Sequence, residues 1–299
     1  MTSPRDSAVP QRDDRSNPPR LWAKPERNGT RISSRRKNRV ISYRPSPNAD
    51  RDPMPVPTKL KHDAILEALL EVRFDPPQSL APEVIVGKLV SCNDWAGLIQ
   101  NRLPLADMPA PIRQADTTMR YQPIIELVNE SRDMAIKVGE RALSLHVLKP
   151  YCGWDVFAPR LHGLVKHLFA VIPGVSVCRL GLRYINAFLP GVHGIDAVSS
   201  LQIDIKVADQ PVSKSFNLNY GVSRGDNLQC LVKIASPDFV QGPLPKDASG
   251  FVDVDIFTPA EFKTESGNAI FEWLDAAHGY EKDVFFNLLS VEQIDRMNK

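Results

Sequence analysis

Alternating apolar and polar residues mark the first patterned segment of the chain, residues 65–74. The apolar residues fall on one side of a predicted strand: Leu66, Ala68, Leu70, Val72 and Phe74. Glu67, Glu71 and Arg73 fall on the other side, as a period of two requires. Alanine, leucine and glutamate also favour helix. We predict a strand because the alternation is unbroken up to Asp75-Pro76-Pro77, where proline ends either element.

Eight further strands are predicted from similar runs. Three of them, at 124–129, 134–138 and 142–148, are separated by loops short enough for hairpins and therefore form an antiparallel meander. A long strand at 175–189 is followed by four more, at 201–207, 213–220, 228–235 and 251–257. Residues 93–120 contain three prolines and no clear periodicity, so we predict irregular structure there.

Apolar residues at helical spacing predict two long helices, at 154–171 and 268–289. A short helix is expected from Pro82, where proline suits the first helical position. Ser290 and Gln293 form the pattern of a capping box, which predicts a terminal helical turn reaching Met297. Each long helix closes a run of strands, an order that indicates an α+β fold.

The predicted fold is a largely antiparallel sheet, or two sheets, with the two long amphipathic helices packed on one face. The element order suits either two similar α+β halves, 59–173 and 174–299, or one wide sheet across both. No residue-level repeat relates the halves, so the sequence leaves both arrangements open.

Composition and charge narrow the class of protein. The chain has 299 residues, of which 42% are hydrophobic and 24% charged, with a formal net charge of +2. These values exclude collagen-like, coiled-coil and wholly disordered proteins. Neither a membrane-spanning run nor a signal peptide is recognisable, so we expect a cytoplasmic protein. The four cysteines form no CxxC pair, and we predict neither a metal site nor a cofactor.

The first 58 residues differ from the rest of the chain. Residues 1–53 contain thirteen Lys or Arg and six Asp or Glu, and eight prolines recur among polar residues. We predict a disordered basic tail, which could bind nucleic acid through nonspecific electrostatics. Alternatively, Met54 is the true initiator and the tail is an over-extended reading frame, because the first patterned segment begins soon after it.

Three segments carry a resemblance to a known family. They are the opening strand at 64–74 (AILEALLEVRF), the strand at 179–186 (RLGLRYIN) and the helix at 274–278 (LDAAH) that leads to Phe285-Phe286. Together they resemble landmarks of a sporadically distributed prokaryotic family of about 250 residues without an assigned function. The resemblance covers residues 60–295. It implies a cytoplasmic prokaryotic protein of the accessory or defence-linked kind, and it supplies no catalytic residue.

The strongest candidate site lies on the strand at 175–189. Arg179 and Arg183 share one face of this strand, with Gly181 between them. Side chains two residues apart on a strand lie ~7 Å from each other, a spacing that could hold a phosphate or carboxylate between two guanidinium groups. The alternative is cross-strand ion pairing of these arginines with Glu67 and Glu71 on a solvated sheet.

Motifs that would indicate catalysis are absent from the sequence. It contains no GxSxG elbow, no phosphate-binding glycine loop and no helical pair of histidines at metal-ligand spacing. Asp253 and Asp255 share a strand face, a spacing that could hold a divalent cation, but exposed strand faces often have this pattern and we predict no metal site. The leading prediction is therefore a nonenzymatic binding or regulatory module for an anionic ligand or a protein partner, with oligomerisation left open. Its predicted binding residues are Arg73, Arg179, Arg183, Glu67, Glu71 and Tyr184.

The rival prediction is an enzyme whose site is gathered from separated strands, a construction that leaves no linear motif. Its candidate residues are Glu67, Arg179, Arg183, Tyr184 and His278.

Overall fold

A broad antiparallel sheet organises the residues that the computed structural model describes, which are 57, 59–78, 80–212 and 215–299. In chain order the strands are β1 (Ile65–Asp75), β2 (Ile99–Arg102), β3 (Ile125–Val128), β4 (Met134–Val138), β5 (Ala142–Leu148), β6 (Ser176–Phe188), β7 (Lys206–Val207), β8 (Gln210–Pro211), β9 (Asn217–Arg224), β10 (Leu228–Ala235) and β11 (Gly250–Phe257). Nine of these strands form the sheet, in the order β2-β3-β4-β5-β1-β6-β11-β10-β9, and β7 pairs only with β8.

The first strand occupies the middle of the sheet. β1 pairs with β5 on one side and with β6 on the other, and both pairings are antiparallel. The strands of residues 59–173 and those of 174–299 are therefore hydrogen-bonded into one wide sheet. This is one of the two arrangements that the sequence left open, and the predicted α+β class is confirmed.

In the described part of the chain, six α-helices accompany the sheet: α1 (Pro82–Val90), α2 (Ala110–Ala115), α3 (Trp154–Val171), α4 (Pro190–His193), α5 (Gly267–Phe286) and α6 (Val291–Met297). The apolar stripe of α3 packs against β5, and that of α5 packs against β6 and β11. Alternate residues of β1 meet this layer, since Ala68, Leu70, Val72 and Phe74 are all buried. The sheet thus has a helix-covered face and an opposite face, which we call the polar face.

Several predicted elements match closely, and three do not. The helix at 154–171 and the strands at 134–138 and 142–148 have the predicted bounds, and the capping box of Ser290 and Gln293 is formed. The predicted strand at 201–207 is wrong except at its end, where β7 forms. The region 93–120, predicted as irregular, contains the edge strand β2 and the helix α2.

The strand predicted at 213–220 is displaced toward the C-terminus. β9 runs from Asn217 to Arg224 because its register is set by the turn into β10, across which Arg224 pairs with Leu228. Ser213, the predicted first residue, lies outside the described residues. Strand ends of this kind follow the partner strand rather than the local sequence.

A register shift in β6 interrupts strict alternation, which from Arg179 backwards would put Val177 on the face of the arginines and Cys178 on the other face. Arg73 pairs with Arg179, but the next residue, Phe74, pairs with Val177, so Cys178 is the extra residue of a β-bulge. Val177 is therefore buried on the helix-covered face instead of lying beside the arginines. Cys178 is only partly buried and interacts with Tyr121.

Within the described residues, no helix is both long and apolar enough to span a membrane. The predicted disordered tail at 1–53 and the proposed initiator Met54 lie outside the described residues. The basic tail therefore remains a prediction from the sequence alone.

Two glycines provide a test of how the β4–β5 hairpin is packed. A Cβ added to Gly139 would lie 2.7 Å from the backbone oxygen of Gln122, whereas one added to Gly87, inside α1, would meet no atom within 4 Å. We expect Gly139→Ala to lower the free energy of unfolding by about 1–3 kcal/mol, because backbone must move. Gly87→Ala should raise it by about 0.5–1 kcal/mol through helix propensity. Urea denaturation followed by circular dichroism measures both, and equal effects would contradict this packing.

Candidate functional site

The predicted binding residues Arg73, Arg179 and Arg183 lie together on the polar face, where each is already paired with a carboxylate. Arg73 Nε lies 2.7 Å from Glu71 Oε1, and Arg179 Nη1 lies 2.8 Å from the same oxygen. Arg183 forms a two-point contact with Asp253, with distances of 2.7 and 2.5 Å. The predicted cross-strand ion pair therefore forms between Arg179 and Glu71. Arg183 pairs instead with Asp253 of β11.

Two further carboxyl groups of the polar face, those of Glu67 and Asp255, also lie next to basic side chains. Glu67 Oε1 lies 2.6 Å from His146 Nδ1 of β5. Burial alone would raise the pKa of Glu67, but the hydrogen bond and charge of His146, with the nearby Lys137 and Arg183, lower it overall. Asp255 Oδ2 lies 3.6 Å from Arg179 Nη2. Burial nevertheless raises the pKa of Asp255, because it outweighs the attraction of Arg179 and Arg183.

Gly181 does not leave an open approach to the backbone. A Cβ at this position would lie 2.7 Å from Arg179 Nη1, so the space above the glycine is filled by the Arg179 guanidinium. Together with the pairing described above, this leaves none of the three arginines as an unpaired cation on the polar face. An anion binding there would have to displace a carboxylate of the protein itself.

The coupling between Arg183 and Asp253 can be measured directly. Asp253 is largely buried, so we expect a double-mutant cycle with Arg183→Ala and Asp253→Ala to give an interaction energy of about 1 kcal/mol. The matched control is the exposed pair of Arg224 and Asp283, 2.8 Å apart, for which we expect less than about 0.5 kcal/mol. Both cycles are measured by chemical denaturation. An Arg183 cycle near zero would mean that this guanidinium is available to another partner.

Tyr184, the sixth predicted residue, lies on the opposite, helix-covered face and lines a cavity of ≈ 780 Å³. This space, which we call the α3–α5 cavity, is bounded by the start of α3, the second half of α5, β6 and the segment before β1. Its aromatic and polar wall residues are Tyr151, Trp154, Tyr184, Asn186, His278, Glu281, Phe285 and Phe286. The structure therefore brings Tyr184 and His278 together and separates both from the arginines.

Glu281 is the most unusual residue of this cavity. It belongs to the buried stripe of α5, four residues after Ala277 and four before Phe285, and only 5% of it is exposed. Within the described residues its carboxyl group forms no hydrogen bond and no ion pair. Burial raises its pKa to about 8, and only the charge of Lys282 acts in the other direction. The carboxyl group is therefore mostly protonated at neutral pH.

His278 lies one helical turn before Glu281 and is held by an aromatic neighbour. Its ring stacks on that of Trp154, with centroids 3.9 Å apart and an angle of 12° between the planes. Burial lowers the pKa of His278 to about 4, assisted by the charge of Lys282. The imidazole is consequently neutral at pH 7.

Two tyrosines continue the polar surface from His278. Tyr184 Oη lies 3.4 Å from His278 Nδ1 and 3.2 Å from Tyr151 Oη. Burial raises the pKa of both phenols, and the charge on Glu281 would raise them further. Both therefore remain protonated at neutral pH and can act as hydrogen-bond donors toward a bound molecule.

Local backbone geometry places Tyr151 and Trp154 at the cavity. Gly153 precedes α3 with φ of 89°, a conformation that L side chains rarely adopt, and it allows the chain to turn into the helix. Lys59 Nζ lies 3.8 Å from where a Cβ on Gly153 would be. The turn is therefore close to the segment before β1, which also lines the cavity.

Charged residues at the cavity are predominantly acidic. Its walls include the carboxyl groups of Asp63, Asp155, Asp275 and Glu281 and the ammonium groups of Lys59 and Lys282. Burial raises the pKa of Asp63 despite a hydrogen bond from the Ile65 amide. Neither in this cavity nor elsewhere in the described part of the chain is a group of three or more His, Cys, Asp or Glu side chains arranged to hold a metal ion.

The comparisons with known proteins give no match: no protein-family model fits the chain, and no curated protein is significantly similar to it.

Sequence reasoning selected Tyr184 and His278 but missed Glu281, Tyr151 and Trp154. One signal in the sequence was available. The apolar stripe of α5 runs through Leu274, Ala277 and Phe285, and Glu281 is the acidic residue at a stripe position. A carboxylate within such a stripe must be paired, neutralised or functional. Tyr151 and Trp154 gave no comparable signal, because aromatic residues next to the start of a helix are common.

Replacing Glu281 by glutamine should change how stability depends on pH. The carboxyl group loses its proton above about 4.5 when unfolded and above about 8 when folded, so the folded chain holds an extra proton between these values. Stability should therefore decrease as the pH rises from 5 to 8, by on the order of 3 kcal/mol from this group. Glu281→Gln should lack this decrease. Urea denaturation at each pH measures it.

The matched control is Glu272→Gln, an exposed glutamate on the same helix. It should follow the wild-type pH profile. If Glu281→Gln also followed that profile, Glu281 would be ionised or paired in the folded protein.

Proposed function

We propose that this protein binds a small organic molecule in the α3–α5 cavity. One observation carries the proposal: the cavity wall contains a buried carboxyl group, that of Glu281, for which the described residues supply no partner. An unpaired buried polar group costs stability unless it acquires a partner. A bound molecule would supply that partner.

The size and walls of the cavity support this proposal. Ligand sites are typically concavities of about 300–1,000 Å³ with apolar walls and few polar groups. The α3–α5 cavity, at ≈ 780 Å³, is within that range. Trp154, Phe285 and Phe286 supply apolar and aromatic surface, while Tyr151, Tyr184 and Glu281 supply a small number of hydrogen-bonding groups.

Stability alone does not account for Glu281. An apolar residue at this stripe position would avoid the penalty of burying a carboxyl group. Groups that reduce stability are characteristic of functional sites, where binding compensates for the penalty. This reasoning favours a role for Glu281 in binding over a role in folding.

The proposal keeps the binding class that the sequence predicted but moves the site to the other face of the sheet. The arginines are neutralised by Glu71, Asp253 and Asp255, so the polar face offers little net attraction to an anion. Binding of a protein partner there, and of nucleic acid through the tail, remain predictions from the sequence. Membership of the prokaryotic family that the chain resembles is likewise a proposal.

A second candidate, an enzyme acting in the same cavity, is favoured by the titration of Glu281. A carboxyl group with a pKa of about 8 can donate or accept a proton near neutral pH, as general acid–base catalysis requires. The hydrogen-bonded series from His278 to Tyr151 could position a substrate. Consumption of a bound compound that is lost in Glu281→Gln would support catalysis over binding alone.

A charge-balanced panel of small aromatic compounds tests the proposed binding function. Cationic, neutral and anionic members are screened at high concentration for an increase in melting temperature. A compound at ten times its Kd stabilises the protein by about 1.4 kcal/mol, which corresponds to a shift of about 2–5 °C. We expect at least one member to produce such a shift in the wild type.

Two variants test whether the stabilising compound binds in the α3–α5 cavity. Trp154→Ala removes a wall of the cavity and should abolish the shift, whereas Leu231→Ala, at an exposed position on the polar face, should retain it. No shift with any member, or an undiminished shift in Trp154→Ala, would contradict the proposed function.

A further inference from the structure

We propose that the molecule bound in the α3–α5 cavity is an organic ammonium compound, with its positively charged nitrogen at Glu281 and its apolar body against Trp154 and Tyr151. This inference rests on the proposed function and deepens it by naming the chemical class of the ligand. The observation behind it is the combination of a buried, unpartnered carboxyl group with aromatic walls and an excess of acidic over basic lining residues.

The charge of the cavity favours a cation. Apart from Glu281, which is mostly protonated at neutral pH until a cation binds, three aspartates line the cavity and two lysines oppose them. Lys282 follows Glu281 on α5, yet Glu281 forms no ion pair with it within the described residues, and Lys59 precedes β1 beside Gly153. A molecule with a positive charge would find an acidic partner here without displacing an existing ion pair, which is not the case on the polar face.

The aromatic walls favour the same chemistry. Ammonium groups are attracted to the faces of tryptophan, tyrosine and phenylalanine rings within ≈ 6 Å, and aromatic cages for such groups are a known recognition mode. Tyr151, Trp154 and Tyr184 line the cavity, and the rings of Tyr151 and Tyr184 meet edge to face with centroids 5.8 Å apart. Phe285 and Phe286 complete the wall on α5.

Several titratable groups lie around Glu281, and most of them are uncharged at pH 7. Tyr151 comes from the segment before α3, Tyr184 from β6 and Cys230 from β10, and burial raises the pKa of all three, so they are neutral at pH 7. His278 is also neutral, because burial lowers its pKa to about 4. Lys282 is the cation on the same helix, and Asp63 faces the cavity from the segment before β1.

Binding of an ammonium group therefore releases a proton from Glu281. The protonated carboxyl group gives its proton to the solvent, and the resulting carboxylate pairs with the ammonium group, whose own protons are unchanged. With a pKa of about 8, Glu281 releases close to one proton per ligand bound at pH 7. Affinity should accordingly increase ~50-fold between pH 6 and pH 8.

A neutral or anionic ligand would behave differently. A neutral ligand could accept a hydrogen bond from the protonated carboxyl group of Glu281, with no proton released and no increase in affinity toward pH 8. An anion would be opposed by the aspartates that line the cavity. Charge selectivity and proton release therefore distinguish the three classes of ligand.

Three compounds of similar shape provide the test: 2-phenylethylamine, 2-phenylethanol and 3-phenylpropanoate. Their binding to the full chain is measured by ligand-observed NMR and by calorimetry in two buffers with different enthalpies of ionisation. We expect the amine, which stays protonated below pH 8, to bind at least tenfold more tightly than the alcohol and the acid. The dependence of the measured enthalpy on the buffer should give close to one proton released at pH 7.

Two variants separate the role of Glu281 from a general electrostatic effect. Glu281→Gln should lose the preference for the amine and the proton release while retaining the fold, which circular dichroism checks. Glu272→Gln, on the exposed side of the same helix, changes the net charge equally and should retain both.

The outcomes distinguish this inference from the proposed function. Equal or tighter binding of the alcohol or the acid, lost in Trp154→Ala, would overturn the ammonium proposal and leave the cavity as a binding site. Amine binding without proton release, or unaffected in Glu281→Gln, would also overturn it. Failure of all three compounds, together with the whole panel, would overturn the proposed function itself.

Discussion

The pairing of β1 with both β5 and β6 is the constraint on which the rest of the structure depends. It joins the meander of β2 to β5 with the strands that follow α3, so that one sheet spans the described residues. Because side chains alternate along a strand, this pairing also places apolar residues on one face of the sheet and charged residues on the other. Ala68, Leu70 and Val72 are buried under the helices, while Glu67 and Glu71 are placed on the polar face.

The two faces of the sheet differ in whether their charged groups are paired. On the polar face, neighbouring strands supply matching charges, and Arg179, Arg183, Glu71 and Asp253 neutralise one another. On the helix-covered face, α5 brings Glu281 into an aromatic cavity where no group of the described residues pairs with it. These charges on the polar face are already paired within the protein. The buried carboxyl group of Glu281 is not paired within the described residues, and it needs a partner from outside the chain.

The quality of the sequence predictions followed the strength of the local signal. The helix α3 and the strands β4 and β5 were predicted with their observed bounds, because each has a complete apolar pattern bounded by turns or proline. The edge strand β2 was missed, since it is short and mostly exposed. The β-bulge at Cys178 was also missed, because only pairing with β1 reveals the extra residue.

The sequence by itself determined the α+β class, the two long helices and the placement of Arg179 and Arg183 on one strand face, since these depend on periodicity within a single segment. Only the tertiary structure decided which carboxylates neutralise those arginines and that one wide sheet forms. It also decided that Tyr151, Trp154, Tyr184 and Glu281 surround one cavity. These features depend on strand order and on the packing of α5 against α3, which bring together residues distant in the chain and which no local pattern specifies.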